Sequence, residues 1–246
     1  MNSLIILPGE CVDGTCAVLS DQRAAYAHGT HGVRAGQVVK VGVLGGLRGE
    51  GRVLESSPRR VMIELNVSHP CLSPRPIDLI VGVSRPQTIK KVVQAAVMFG
   101  ARSLHFVRSE RGDKSYLQST ALSEESLQEE TLKALEQVWD TRVVPIVVHR
   151  SFEYFCANKL PLLGGEGAPL KLIAHPTGEV LGSAVMPAGI PHVIVAIGPE
   201  RGWSDAEVDR LQLEGFSAVG LGERVVRVEL ALTFLLGQLD LLMRPS

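Results

Sequence analysis

The chain has 246 residues, 45% of them hydrophobic and 21% charged, which allows a buried core and excludes an intrinsically disordered segment. A net charge of −1 excludes the global basic field that marks many nucleic-acid binders, and 4% aromatic residues are too few for a surface that binds single strands mainly by base stacking.

In chain order, the opening MNSLIILPGE lacks the basic flank and long apolar run of a signal peptide, so a cytoplasmic protein is expected. Short β-rich runs follow at Val38–Leu44, Gly51–Glu55 and Arg60–Val67, with turns at Gly45-Gly46 and Ser56-Ser57-Pro58. Strands of this length and spacing predict a small antiparallel barrel or sandwich. NVSHPCLSPRP, with three prolines, reads as a linker, so domains are expected at about residues 1–70 and 77–246.

Beyond the linker the pattern becomes strand–helix alternation. Ile77–Val83 reads as a continuous apolar strand, followed by a helix from Pro86 to Phe99 that Gly100 stops. Then come strand Ser103–Val107, helix Ser123–Val138, strand Val143–Val148 and a short helix over Ser151–Lys159. Apolar strands at Leu170–Ala174 and His192–Ile197 lead to Ser204-Asp-Ala-Glu207, a capping box that opens a helix to Leu213. Strand Phe216–Leu221 and a final helix, Glu229–Met243, complete the pattern. The final segment carries Arg227, Glu229 and Asp240 and reads as a buried helix, not a membrane span. Gly164-Gly165-Glu-Gly167 reads as a mobile loop.

Apolar strands separated by helices predict an α/β domain with a mostly parallel sheet covered on both faces. Ligands of such sheets bind beyond the carboxyl ends of the strands. Three loops fall there: Ala174-His175-Pro176, Ile197-Gly198-Pro199-Glu200-Arg201-Gly202-Trp203, and Leu221-Gly222-Glu223-Arg224-Val225-Val226-Arg227-Val228-Glu229. Gly198, Gly202 and Gly222 allow positive φ and close approach of backbone to a flat ligand. Free backbone groups there can read an adenine edge, with Leu221 and Val226 against the ring.

Charge is unevenly placed. Leu79–Ser109 carries Arg85, Lys90, Lys91, Arg102 and Arg108 without an acidic residue, which reads as a phosphate-contacting face or a solvated helix face. Glu124, Glu125, Glu129, Glu130, Glu136 and Asp140 read as a solvated acidic face. Cys11, Cys16, Cys71 and Cys156 have no metal-ligand spacing, so no metal site is expected. Gly220-Leu-Gly222 starts like a dinucleotide fingerprint, but Val225 stands at the third glycine position and no further βαβ unit follows.

IGPERGWSDAEVDRL followed by LGERVVRVELA resembles the paired signatures IGPEGG-x-s-x-x-E and LG-x-R-[IV]-L-R-x-E-T-A of the RsmE-type uridine-N3 methyltransferases of small-subunit ribosomal RNA. VSRPQTIKKVVQAAVMFGARSLHFVRSER resembles the first strand, helix and second strand of that family's catalytic domain, with Gln94, Gly100 and Ser109-Glu110-Arg111 in step. Glu136-Gln137, Pro145 and Ala174-His175-Pro176 also match, and His28–Val43 resembles the end of the family's N-terminal barrel.

The resemblance implies a PUA-like RNA-binding barrel followed by a SPOUT domain, whose parallel sheet contains a deep trefoil knot that general connection rules would exclude. It implies a homodimer built with the leucine-rich last helix, and a ribosomal RNA or small-subunit substrate. S-adenosylmethionine would be held by Ala174, His175, Pro176, Ile197, Gly198, Pro199, Glu200, Gly202, Leu221, Gly222, Arg224, Val225, Val226 and Arg227. Methyl transfer from a sulfonium rests on positioning, and negative charge developing on the uracil oxygens calls for a cation. Arg227 and then Arg201 are the candidates. Glu229 is a candidate to orient an arginine or accept the N3 proton, or else a helix N-terminal residue favoured by the dipole. The chain departs from the family at Arg201 (glycine), Leu230 (threonine), Ala95 (lysine), Met98 (glutamate) and Asp140 (arginine). The alternative these departures raise is an RNA-binding or ribosome-assembly protein that keeps the fold without catalysis.

Overall fold

A computed structural model describes residues 3–181 and 192–243. The chain divides into two compact units, one of Met1–Ser73 with Thr131–Val143 and one of Pro74–Glu130 with Val144–Ser246.

The first unit is built on a five-stranded sheet. Its elements are β1 (Leu4–Ile6), β2 (Cys16–Ser20), α1 (Asp21–Gly29), β3 (Val38–Val43), β4 (Arg48–Ser56) and β5 (Arg60–His69). The order β1-β3-β4-β5-β2 is antiparallel except for the β1–β3 pair. Alternation buries one face: Val39 and Val41 of β3, Val53 of β4, and Val61, Ile63 and Leu65 of β5 pack with Leu4, Ile6, Leu19, Ala24 and Ala27. β3–β5 stand where glycine-punctuated β runs are read in the sequence. β1 and β2 were missed because three and five residues are too short to display a period.

The second unit contains β6 (Ile77–Gly82), α2 (Pro86–Met98), β7 (Ser103–Val107), the start of α3 (Glu124–Val138), β8 (Ile146–His149) and α4 (Phe152–Asn158). It continues with β9 (Leu170–Val180), β10 (Val193–Ile197), α5 (Asp205–Leu213), β11 (Ser217–Gly220) and α6 (Val228–Leu242). All pairs are parallel in the order β11-β9-β10-β6-β7-β8. β6 and β10 are buried at every position, which is why they read as unbroken apolar runs. Gly100 ends the turn after α2 at φ 69°, a conformation that excludes most side chains. The capping box forms as expected, with Ser204 Oγ accepting from Glu207 N at 3.3 Å.

Three expectations need correction. β9 does not stop at Ala174. Ala218 of β11 lies opposite Ile173 and Val219 opposite Glu179, so residues 174–178 are skipped in the β9–β11 ladder, although Ala174 still pairs with Ile197 of β10. The strands then pass so closely that only glycine fits: a Cβ on Gly178 would lie 2.5 Å from Val219 backbone, and one on Gly220 would lie 2.3 Å from the Gly178 carbonyl.

The acidic stretch is solvated only in part: Glu124, Glu125 and Glu129 are exposed, but Glu130, Glu136 and Asp140 are buried. Gln94 donates to Glu130 at 2.6 Å and Lys90 pairs with it. Glu136 is met by Arg23, His31 and Tyr26, and Asp140 accepts from the amides of Leu72 and Thr141. Glu130 and Asp140 have hydrogen-bond partners for the hydration they lose, whereas Glu136 Oε1 makes no hydrogen bond among the described residues and has the Arg23 guanidinium 3.9 Å away.

The Gly164 loop is likewise anchored. Its amide donates to Asp78, a fully buried carboxylate in the middle of the sheet. Asp78 also accepts from Arg102, Ser103 and His192 at 2.5–3.1 Å. Burial alone would raise its pKa, but these hydrogen bonds and the Arg102 charge outweigh it and hold the carboxyl below the usual range. Ser103 continues the chain to His105, and His105 to His149 at 3.0 Å.

Candidate active site

The three loops singled out in the sequence meet in the second unit around one cavity of about 1250 Å³. Ala174, His175 and Pro176 line it from the β9 excursion, Ile197–Trp203 from the end of β10, and Leu221–Glu229 from the connection between β11 and α6. Every expected cofactor contact is on this surface, as are Arg201, Arg227 and Glu229. Small-molecule pockets commonly run from ~300 to ~1000 Å³. The space therefore suits a nucleoside-sized ligand with a second base beside it.

Local backbone chemistry shapes the walls. Pro199–Gly202 is a turn closed by Gly202 N donating to Pro199 O at 2.7 Å, with Gly202 at φ 70°. A Cβ on Gly198 would lie 2.7 Å from Trp203 N, so the two arms of the turn touch backbone to backbone. Gly222 sits at φ 95° with open space around its missing Cβ. Its requirement is conformational, and the room beside it belongs to the cavity. Trp203 is buried against Phe152 and anchors the turn to the core.

Side chains from outside the three loops complete the site. Arg85, Pro86, Gln87, Thr88 and Lys91 enter from the start of α2, and Arg111 and Tyr116 from the loop after β7. Sequence reasoning did not assign them, although the excess of cations in Leu79–Ser109 was the available signal.

Three carboxylates line the cavity: Glu200, Glu223 and Glu229. Glu200 Oε1 accepts from the Arg85 amide at 2.9 Å and from Thr88 Oγ1 at 3.1 Å, closing the N-terminus of α2. Glu229, in the first turn of α6, accepts from Lys91 Nζ at 2.9 Å. Burial would raise the Glu229 pKa, but the Lys91 hydrogen bond and the charges of Lys91 and Arg227 leave it below the ordinary carboxylate range. A carboxylate so held is a weaker proton acceptor, which favours the positioning role over that of base. Its partner is a lysine, where an arginine was expected.

Six cations face these three acids: Arg85, Lys91, Arg111, Arg201, Arg224 and Arg227. The cavity mouth is thus positive although the chain as a whole is not, and it suits a polyanion. Arg227 is the exposed N-cap residue of α6 and contributes no side-chain cap.

Comparisons with known proteins bear on the fold and the family. The RNA methyltransferase domain family matches residues 71–240, which places the second unit in that class. The chain is 30% identical over 236 residues to ribosomal RNA small subunit methyltransferase E of Treponema pallidum, covering 94% of this chain and 87% of that protein. It is 25% identical over 171 residues to the Synechocystis protein of the same name, covering 69% of this chain and 54% of that one. A crystal structure of ribosomal RNA small subunit methyltransferase E from Neisseria gonorrhoeae bound to S-adenosyl methionine shares the fold. Its TM-score is 0.77 at 21% identity, with 98% of each chain covered. A methyltransferase from Legionella pneumophila, in complex with the same cofactor, superposes with a TM-score of 0.76 at 21% identity and the same coverage. The chain belongs to the ribosomal RNA small subunit methyltransferase E family.

Proposed function

We propose that this protein transfers a methyl group from S-adenosylmethionine to N3 of a uridine in small-subunit ribosomal RNA. The observation that carries the reading is the convergence of three strand-end loops, two of them glycine-bearing, on one cavity with a cationic mouth. The backbone of Ile197–Gly202 and Leu221–Val226, with Ala174–Pro176, would hold the adenosine part, and the crowding at Gly198 and the positive φ at Gly222 fit close backbone approach. Bound there, the cofactor supplies an electrophilic methyl group on a sulfonium.

The chain's own residues bind and orient the RNA. Arg201, Arg224 and Arg227 are exposed and make no side-chain hydrogen bond or ion pair among the described residues, which suits contacts to phosphates. Glu200 and Glu229 hold α2 and Lys91 in place. Catalysis by such a site is mainly positioning plus charge stabilisation.

The proposal includes a homodimer. Leu230, Phe234 and Leu241 are exposed on α6, in step with exposed Thr233 and Gly237, while Leu232, Leu235, Leu236 and Leu239 point into the core. An apolar stripe opposite the buried face of one helix is the pattern of an interface. A trefoil knot is part of the reading, supported by the tight passage of Gly178 against Gly220. So is a PUA-like, RNA-binding first unit, supported by its five-stranded sheet. No helix among the described residues is long and apolar enough to cross a membrane. A cytoplasmic site of action is part of the reading, supported by the ribosomal RNA substrate proposed above.

Incubation of the purified protein with methyl-labelled S-adenosylmethionine and unmodified small subunits tests the reading. Label in the RNA, dependent on the protein, is expected. Tight cofactor binding with no transfer would favour the non-catalytic alternative.

A further inference from the structure

We propose that Lys91 is the group that stabilises negative charge on the uracil carbonyl oxygens during methyl transfer, with Glu229 as its positioning residue. This rests on the methyl-transfer reading above.

The six cations of the cavity differ in how firmly they are held. A catalytic cation works best when it is already fixed where charge develops, because no reorganisation is then needed at the moment of reaction. Arg85, Arg201, Arg224 and Arg227 make no side-chain hydrogen bond or ion pair among the described residues, so no direct contact fixes their guanidinium groups. Arg111 pairs at 3.1 Å with Asp205, whose side chain is 92% exposed, so solvent screens that pair and weakly defines its geometry. Lys91 alone is held by a largely buried carboxylate: Glu229 is 12% exposed and lies 2.9 Å from Nζ.

The chemistry suits a lysine so held. An ammonium has three N–H donors, and Glu229 Oε1 takes one. Lys91 remains 53% exposed on the cavity side of α2, so its other donors are open to a substrate oxygen. In the reaction the N3 proton leaves to solvent and the N3–C bond forms as the S–C bond breaks. The sulfur keeps the bonding pair, and Lys91 stays protonated throughout. Negative charge passing through O2 or O4 meets an ammonium at a fixed place. The same position explains why Ala95, one turn further along α2, needs no charge of its own.

The test measures single-turnover methylation of unmodified small subunits at saturating RNA. Cofactor affinity by calorimetry, RNA affinity and melting temperature are measured beside it. Lys91→Ala is expected to lower the rate by about 10²-fold, the scale for losing one preorganised charge donor. Cofactor and RNA affinities should stay within threefold. Lys91→Arg should recover much of the rate, and Glu229→Gln should lose part of it. A Lys91→Ala rate within threefold of the parent overturns the proposal, as does a rate loss accompanied by an equal loss of RNA affinity. If the parent itself transfers no methyl group to the small subunit, the methyl-transfer reading fails first and the role of Lys91 fails with it.

Discussion

Glu200 closes the N-terminus of α2, its Oε1 2.9 Å from the amide nitrogen of Arg85. The residue lies in the β10 loop, 115 positions further along the chain, so one carboxylate ties the turn after β10 to the helix that carries Lys91. Glu200→Ala should cost about 1 kcal/mol of stability, the usual effect of removing a helix cap. It should also weaken cofactor affinity, since the turn loses its tether. Chemical denaturation beside calorimetry checks both, and unchanged values for both would show that the cap is not coupled to the loop.

The conformation of Gly222 makes a sharper prediction. A branched side chain is strained at φ 95° whatever the surrounding space. Gly222→Val should therefore reshape the loop and reduce S-adenosylmethionine affinity by about tenfold or more, a change of at least ~1.4 kcal/mol. Gly198→Ala should act through crowding, since its Cβ would collide with backbone at Trp203. Parent-like affinity in both variants would place the adenosine elsewhere.

The exposed stripe on α6 gives a test of assembly. Leu230→Glu with Phe234→Glu places two charges on that face without touching the inward leucines. Light scattering at micromolar concentration should give a dimer for the parent and a monomer for the double variant. A monomeric parent would remove the dimer from the reading.

Acid stability should follow the buried network below the sheet. Burial, then the neighbouring His105 and Lys159, depress the His149 pKa to about 4. A group depressed on folding is protonated first in the unfolded chain. Its contribution is intact above about pH 6.5 and is lost as pH falls toward 4, on the order of 2–3 kcal/mol. Asp78, also held low, extends the loss into the carboxylate range below pH 4. Urea midpoints measured from pH 7 to pH 4 should fall, and His149→Gln should flatten the curve between pH 6.5 and 4. An equally steep curve in the variant would assign the loss to other groups.

Much of the second unit was legible because its strands are buried on both faces and its helices carry punctuation. Pro86, Gly100 and the Ser204–Glu207 box each mark an end by local chemistry. Two of the three cavity loops were legible for the same reason, since Gly198, Gly202 and Gly222 stand beyond strand ends with a backbone cause. Asp78 was not: one carboxylate in an apolar run carries no local sign of the four residues that meet it in space. Nor was the Lys91–Glu229 pair, which joins residues 138 positions apart. The β9 excursion was hidden because Leu170–Ala174 looks complete by itself. The acidic stretch misled because composition records charge and not partners.

The most direct measurement is a nucleoside map of small-subunit RNA from a strain lacking this protein, with and without the gene restored. We expect one 3-methyluridine to be absent in the deletion, to return with the parent gene, and to stay absent with Gly222→Val. A complete set of methylated uridines in the deletion strain, or a missing methyl on a ribose or another base, would contradict the assignment.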